Sequence, residues 1–221
     1  MIHRVAALLA DVVAGRFPPE DGRTEVVTQP PGPVAAILAF ASHHVVAADV
    51  DAAWARSHLP DGDLSAPVGP VFVAALSGRL GRSFDNLDLV LVAPGRAGEP
   101  SLDLRPVERP RDGHDAHDHP RLARAGRYRT DLRAFETADG RGLVVVGRGL
   151  AHRWELAFEV APRARGTGLG RVLVAAGRTL VPAGEPVFVQ VAPGNVPSLR
   201  AVLGAGGFTP IGGEILFARS A

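Results

Sequence analysis

The densest run of chemistry-bearing residues lies between Val160 and Arg171, where the chain reads Val-Ala-Pro-Arg-Ala-Arg-Gly-Thr-Gly-Leu-Gly-Arg. Glycines at 166, 168 and 170 let a backbone approach a ligand closely. The apolar stripe that begins at Leu169 marks a helix whose first N–H groups have no partner in the helix itself. A loop of this kind suits a phosphate or pyrophosphate, and Arg163, Arg165 and Arg171 add formal charge around it. A Walker loop is excluded, because it ends in Gly-Lys-Ser/Thr and the chain has no lysine. A dinucleotide fingerprint would need glycine where Arg171 stands and an acidic residue near Gln190. On these residues alone, a plain strand-to-helix turn accounts for the glycines equally well.

Two carboxylates precede the loop. In Arg153–Val160 the residues Trp154, Leu156, Phe158 and Val160 alternate with Arg153, Glu155, Ala157 and Glu159, so Glu155 and Glu159 share the face opposite the aromatic one. Either can act as a general base, Glu159 being nearer the loop. The plainer reading of each is a solvated strand carboxylate or an arginine partner. The run His114-Asp-Ala-His117-Asp-His119 contains metal-ligand types but sits in a polar stretch without scaffolding, so a hydrophilic loop is expected and no metal site. His43 and His44 are adjacent on a strand and point to opposite faces, which makes packed histidines the expectation. Trp54 and Trp154 read as core or interface residues. His152 and the few serines form no visible arrangement of nucleophile and base.

The elements that must hold these residues follow from periodicity and breakers. Ile2, Val5, Leu8, Leu9 and Val12 predict an amphipathic helix ending near Gly15 and Pro18. Val34–Val46 reads as strand, Asp51–His58 and Val71–Leu80 as helices, and Leu87–Val92 as a buried strand. Residues 96–125, rich in Arg, Asp, His, Pro and Gly, have the composition of a solvated linker or long surface loop. Asp131–Thr137 and Leu143–Val146 flank Asp139-Gly140, which predicts a hairpin with a type I′ turn. Leu169, Val172, Leu173, Ala176 and Leu180 form one helical stripe, and Val187, Val189 and Val191 line one side of a strand over Pro186–Ala192. A shorter helix carries Leu199, Val202 and Leu203, and Ile211–Phe217 can supply a last strand. Val71–Ala75 resembles Val172–Ala176, and Val92–Gly95 repeats as Val191–Gly194. Duplicated halves and chance similarity in an Ala- and Val-rich chain are both open.

Composition narrows the function classes. The 221 residues, 46% of them hydrophobic, suffice for a real core in one large or two small domains. Twenty-four basic and 23 acidic side chains give a net charge of +1 without a like-charge run, so nucleic acid is not an expected partner. With no cysteine there is no disulfide, thiolate metal site or cysteine nucleophile. Apolar runs fall far short of a membrane span, and Met1–Gly15 lacks the layout of a signal peptide. A cytoplasmic chain is the expectation. All 24 basic residues are arginine, which reads as coding bias and not as chemistry.

The glycine loop carries a resemblance that these readings alone do not. Residues 163–170 resemble motif A of the GNAT superfamily of acetyl-CoA-dependent N-acetyltransferases, whose pattern is Arg or Gln, two residues, Gly, one residue, then Gly or Ala. The pattern is met in two registers, Arg163-x-x-Gly166-x-Gly168 and Arg165-x-x-Gly168-x-Gly170, the second sitting best against the preceding strand. Asn195, Ser198 and Gly207-Phe208 are similar to the family's motif B, with slightly longer spacing before Gly-Phe. The resemblance covers residues 126–221. It implies an acetyltransferase domain there, residues 106–125 as linker or long loop, and residues 1–105 as an N-terminal accessory α/β region or degenerate copy. The implied fold is α/β (α+β): a mixed, mostly antiparallel central sheet flanked by helices. The strand before the loop would splay from the strand at 186–192 to leave a V-shaped cleft.

The family's chemistry would then be transfer of an acetyl or other acyl group from acetyl-CoA to an amine by direct attack in a ternary complex, without a metal. Carried over by position, the backbone of Phe158 and Val160 would hold pantetheine and polarise the thioester carbonyl. Amides of Arg165, Gly166, Thr167, Gly168, Leu169 and Gly170, with Arg163 and Arg171 nearby, would hold the pyrophosphate. Asn195 would touch pantetheine, with Ser198 near the thiol. The family often places a tyrosine acid where this chain has Val202, and the sole tyrosine is Tyr128. This departure raises the alternative of a catalytically degenerate acyl-CoA-binding regulatory module. A purely structural domain is the weaker third reading. The acceptor would be a small-molecule or peptide amine, and neither a homodimer nor a monomer is singled out.

Overall fold

A computed structural model describes residues 2–107 and 119–219 of the chain. Helix α1 (Arg4–Val13) is capped by the His3 side chain, which accepts from the Val5 N–H, and buries Val5, Leu8, Leu9 and Val12, the stripe predicted from spacing. Three strands follow: β1 (Thr24–Val27), β2 (Ala35–Phe40) and β3 (His43–Ala47). The run expected as one strand over Val34–Val46 is thus a hairpin, with Phe40 opposite His43 across a two-residue turn. Both sides of that hairpin are buried, so no polar alternation marked the break. Helices α2 (Ala52–Ser57) and α3 (Pro70–Leu80) come next, then β4 (Arg82–Phe84) and β5 (Asp88–Pro94).

Within the stretch read as linker, the chain forms β6 (Leu104–Pro106) and α4 (Pro120–Tyr128). The His119 ring accepts from the Arg121 N–H at the start of α4, while His114 and His117 lie outside the described residues. Strands β7 (Thr130–Thr137), β8 (Gly142–Arg148) and β9 (Trp154–Val160) form a meander. Between β7 and β8 only Gly140 takes positive φ, at 64°, and its N–H bonds Thr137 O at 2.8 Å. The turn is therefore of type I with a left-handed glycine, and not the expected type I′, which needs positive φ at two residues. Thr137 Oγ1 directs the longer path by accepting from the N–H groups of Arg141 and Gly142.

Helix α5 (Leu169–Gly177), β10 (Pro186–Val191), α6 (Val196–Gly204) and β11 (Thr209–Arg219) complete the chain. Helix α5 stops three residues short of the predicted stripe, which continues through a 3-10 turn to Leu180. It buries Leu173, Val174, Ala176 and Gly177, because it packs against both the sheet and α6.

The eleven strands form one sheet in the order β1-β3-β2-β11-β5-β10-β9-β8-β7-β6, with β4 also paired to β11. Neighbours are antiparallel except β1 with β3 and β9 with β10. Helices α1 and α4 cover one face of this mixed, mostly antiparallel sheet, and α2, α3, α5 and α6 the other. Strand β5 pairs with β10 on one edge and β11 on the other, and β2 follows beyond β11. Backbone pairing therefore runs from the first hundred residues directly into the last hundred, and the compositional boundary at 106–125 is not a break in the sheet. The repeated Val-Ala-Pro-Gly segments end two adjacent strands, with Pro94 opposite Pro186. Their surroundings differ: β10 has a parallel neighbour in β9, whereas β5 has antiparallel β11.

Candidate functional site

Strands β9 and β10 are in register only at Trp154 with Val187 and Glu155 with Phe188. Beyond that point they diverge, so the facing edges of Leu156–Val160 and Val189–Val191 are not paired with each other. A cleft of ≈ 320 Å³ opens there, lined by Leu156, Ala157 and Phe158 on one strand and Val189–Ala192 on the other, with Asn195 and Ser198 at one end. Asp85, Asn86, Asp88 and the α4 side, including Arg121, Arg124, Tyr128 and Arg129, form the opposite wall.

The glycine loop lies at the C-terminal end of β9. Gly168 is the N-cap of α5 with φ of 86° and supplies no side-chain cap, and Gly166 has φ of 79°. Both are left-handed positions that an L side chain rarely takes, and the opening N–H groups of α5 are left to an external acceptor. Thr167 steadies the loop by donating to Ala164 O at 2.8 Å. Gly170 has a different reason: a Cβ there would lie 3.3 Å from both Phe158 and Ala201, so it lets α5 pack onto β9 and α6. Arg165 Nε donates to Val160 O at 3.3 Å, tying the loop to the strand it follows. Arg163 and Arg171 are exposed. A second recess of ≈ 330 Å³ at this helix start is lined by Leu102, Arg141, Thr167, Gly168, Leu169, Arg171 and Val172. Arg141, from the β7–β8 turn, is a cation that reading along the loop could not find.

Asn195 caps α6, its Oδ1 accepting from the Ser198 N–H at 3.2 Å. Val202 is fully buried behind the cleft, in the core shared with α5.

Of the roles the sequence left open for Glu155, general base, solvated carboxylate or arginine partner, the structure shows the last: it is 0% exposed and paired with Arg129 and Arg153. Its Oε2 accepts from Arg129 Nε at 2.8 Å and its Oε1 from Arg153 Nε at 2.9 Å and the Leu150 N–H. Burial works to raise its pKa, but Arg153 and then Arg129 outweigh that and hold it below the usual carboxylate range. A carboxylate so committed is an ion-pair anchor and a poor base. Arg153 also bonds both oxygens of Glu214 on β11, at 2.6 and 2.7 Å. Glu214 is pushed up, chiefly by burial and further by Glu155, against the pull of Arg153. Glu159 is half-buried and holds Arg121 at 3.3 Å.

Three further cleft residues, Tyr128 on α4, Asp88 on β5 and Gln190 on β10, were not marked as site residues by the glycine-loop motif. Tyr128, the only tyrosine, projects from α4 and donates to Asp85 Oδ2 at 2.5 Å. Burial, with the bond to Asp85, pushes its hydroxyl up to about 12. Gln190 accepts from Arg129 at 3.0 Å. Asp88 opens β5, and its carboxyl is pushed up to about 6 by burial first and then by Glu214. Its Oδ1 is buried with no hydrogen-bond partner among the described residues. The only signal for it in the sequence was a carboxylate beginning an otherwise apolar strand.

Among the described residues no three His, Asp or Glu side chains cluster as metal ligands, and no helix is long and apolar enough to cross a membrane. His43 is buried with Nδ1 2.9 Å from Asp21, and burial is the main cause lowering the pKa of His44.

No protein-family profile matches the chain, and neither does any curated protein. Among solved structures it is similar to an acetyltransferase of the GNAT family from Colwellia psychrerythraea, at 13% identity over 67% of this chain and a TM-score of 0.38. A functionally unknown conserved protein from Staphylococcus epidermidis gives 12% identity over 69% of this chain and 68% of its own, with a TM-score of 0.40. A GCN5-related N-acetyltransferase from Sphaerobacter thermophilus gives 15% over 66% of this chain and 55% of its own, with a TM-score of 0.38. The match spans 62% of the Colwellia protein's length. Likeness at this level says nothing about activity.

Proposed function

We propose that the protein is an acyl-CoA-dependent N-acyltransferase that passes an acetyl group to an amine in a ternary complex. The observation that carries this reading is the separation of β9 from β10 after two residue pairs, beside a helix whose N-cap is an uncapping, left-handed glycine. Separated edges offer backbone N–H and C=O groups to an extended chain such as pantetheine, and the α5 N-terminus offers amides to a pyrophosphate. Both features fit acetyl-CoA, which when bound supplies an activated acyl group.

The chain's own part is positional and electrostatic. The edge of β9 at Phe158 and Val160 would bind the pantetheine arm and present an N–H where charge develops on the carbonyl. Amides from Arg165 to Gly170, with Arg163 and Arg171 around them, would fix the phosphates, and Asn195 and Ser198 would border the thiol end. Holding both reactants in one cleft lowers the entropic part of the barrier. The acceptor would reach that cleft from the α4 side, as a small-molecule or peptide amine.

The test is a thermal-shift titration with acetyl-CoA, CoA and NADH on the wild type and Gly168→Asp. Ligand at a hundred times its Kd stabilises by about 2.7 kcal/mol. A shift with both CoA forms, absent with NADH and lost in the folded Gly168→Asp variant, is the expected outcome. No shift with either CoA form overturns the reading. Binding without turnover on any amine would favour the acyl-CoA-binding regulatory module instead.

A further inference from the structure

We infer that Asp88 is the group that takes the proton from the incoming acceptor, which therefore arrives as an ammonium and docks on the α4 side of the cleft. The inference rests on the acyl-transfer reading and adds a residue that the glycine-loop resemblance does not reach. Asp88 is the register partner of Glu214 on β11 and sits one position before Leu89, the partner of Val191 at the end of β10. Its side chain shares the face of Val90 and Val92, which pack with Phe188 and Tyr128, and not the face of Leu89 and Leu91, which pack with α5 and α6. The carboxylate thus lines the cleft from the side opposite the glycine-loop helix, as an acceptor site in a ternary complex requires.

Other carboxylates around the cleft are already engaged. Arg129 and Arg153 hold Glu155, Arg153 holds Glu214, Arg121 holds Glu159, and Arg124 and Tyr128 hold Asp85. Asp88 instead has a buried, unpartnered Oδ1. The charged groups facing it are Glu214 from β11, Asp85 from the preceding loop, Arg124 from α4 and Arg129 just after α4. Burial and the two carboxylates outweigh the two arginines and bring its pKa to about 6, so near neutral pH it is mostly ionised yet able to hold a proton. In the step, the ammonium gives one proton to Asp88 and its freed electron pair forms the C–N bond. The C–S bond breaks with its pair on sulfur, the surplus proton on nitrogen passes to that sulfur, and Asp88 returns its proton to water.

The experiment follows CoA thiol release from acetyl-CoA across a panel of amino acid amides, polyamines and aminoglycosides, from pH 5 to 9, with acetyl-CoA thermal shifts in parallel. For the best amine, wild-type kcat/KM should rise through a limb near pH 6. Asp88→Asn should keep the acetyl-CoA shift, lose roughly 10²–10⁴-fold in kcat/KM and lose that limb. An Asp88→Asn protein with both rate and limb intact overturns the inference and leaves the acyltransferase reading standing. Wild-type acetyl-CoA binding with no amine turned over overturns the inference too, together with the transferase reading, in favour of the acyl-CoA-binding module. Absence of the acetyl-CoA shift in the wild type overturns the underlying reading itself. Should Asp88→Asn not fold, the wild-type profile decides, because a flat kcat/KM between pH 5 and 7 also overturns it.

Discussion

The folded-state pKa of Asp88, about 6, lies above its ordinary 3.8, so the native chain binds this proton more tightly than the unfolded one. Stability from this group is therefore greatest below pH 4 and falls as pH rises through 6. Asp88→Asn removes the burden, and calorimetry at pH 8 should show a gain of about 1–2 kcal/mol after allowance for partial exposure, vanishing towards pH 4. The opposite holds for Arg153, which bridges Glu155 and Glu214 in the interior. Arg153→Met leaves two buried carboxylates short of a partner and should lower stability by about 3–5 kcal/mol, measured by denaturant unfolding, with part recovered in Arg153→Met/Glu214→Gln. The alternation in β9 correctly predicted that Arg153, Glu155 and Glu159 share a face. It could not show that Arg129, 26 residues earlier and just after α4, would lock Glu155 in the interior while Glu159 stays half-buried beside Arg121.

Among the elements, the helix after the glycine loop was the most legible, because its start and its apolar stripe are both local properties. The reasons for its glycines separate only in three dimensions. Gly168 is needed for its φ of 86°, so Gly168→Ala should cost about 1–2 kcal/mol by thermal unfolding even without ligand. Gly177 is needed for contact: a Cβ there would lie 2.1 Å from Leu156 Cδ1, against the strand that forms one side of the cleft. Gly177→Ala should push α5 off β9, destabilising by about 1–3 kcal/mol, and should weaken acetyl-CoA binding although residue 177 lies outside the cleft. The β7–β8 hairpin was legible from Asp139-Gly140, but its turn type depended on three hydrogen bonds made by Thr137 Oγ1. Strands β2 and β3 merged in the sequence reading because a strand buried on both faces carries no period-two signal.

For the molecule as a whole, β5 is the decisive strand, since it stands between β10 and β11 and brings Asp88 to the cleft. A fragment of residues 126–221 lacks that strand and exposes the facing edges of both neighbours. It should show no cooperative thermal transition by circular dichroism, and adding a fragment of residues 1–105 should restore one; independent folding of 126–221 would contradict this. Composition and breakers marked where the chain changes character, near residues 96–125, because those are local and additive signals. The order in which strands pair is neither local nor additive. By itself, then, the sequence determined the helices other than α4, most strands, the glycine loop and the helix N-terminus it creates, all of which depend on residues within a few positions of one another. Only the tertiary structure decided that β9 and β10 part after just two pairs, that Glu155 is locked by Arg129, and that Asp88 and Tyr128 reach the same cleft. Those are contacts across tens of residues, set by which apolar faces find one another when the sheet closes.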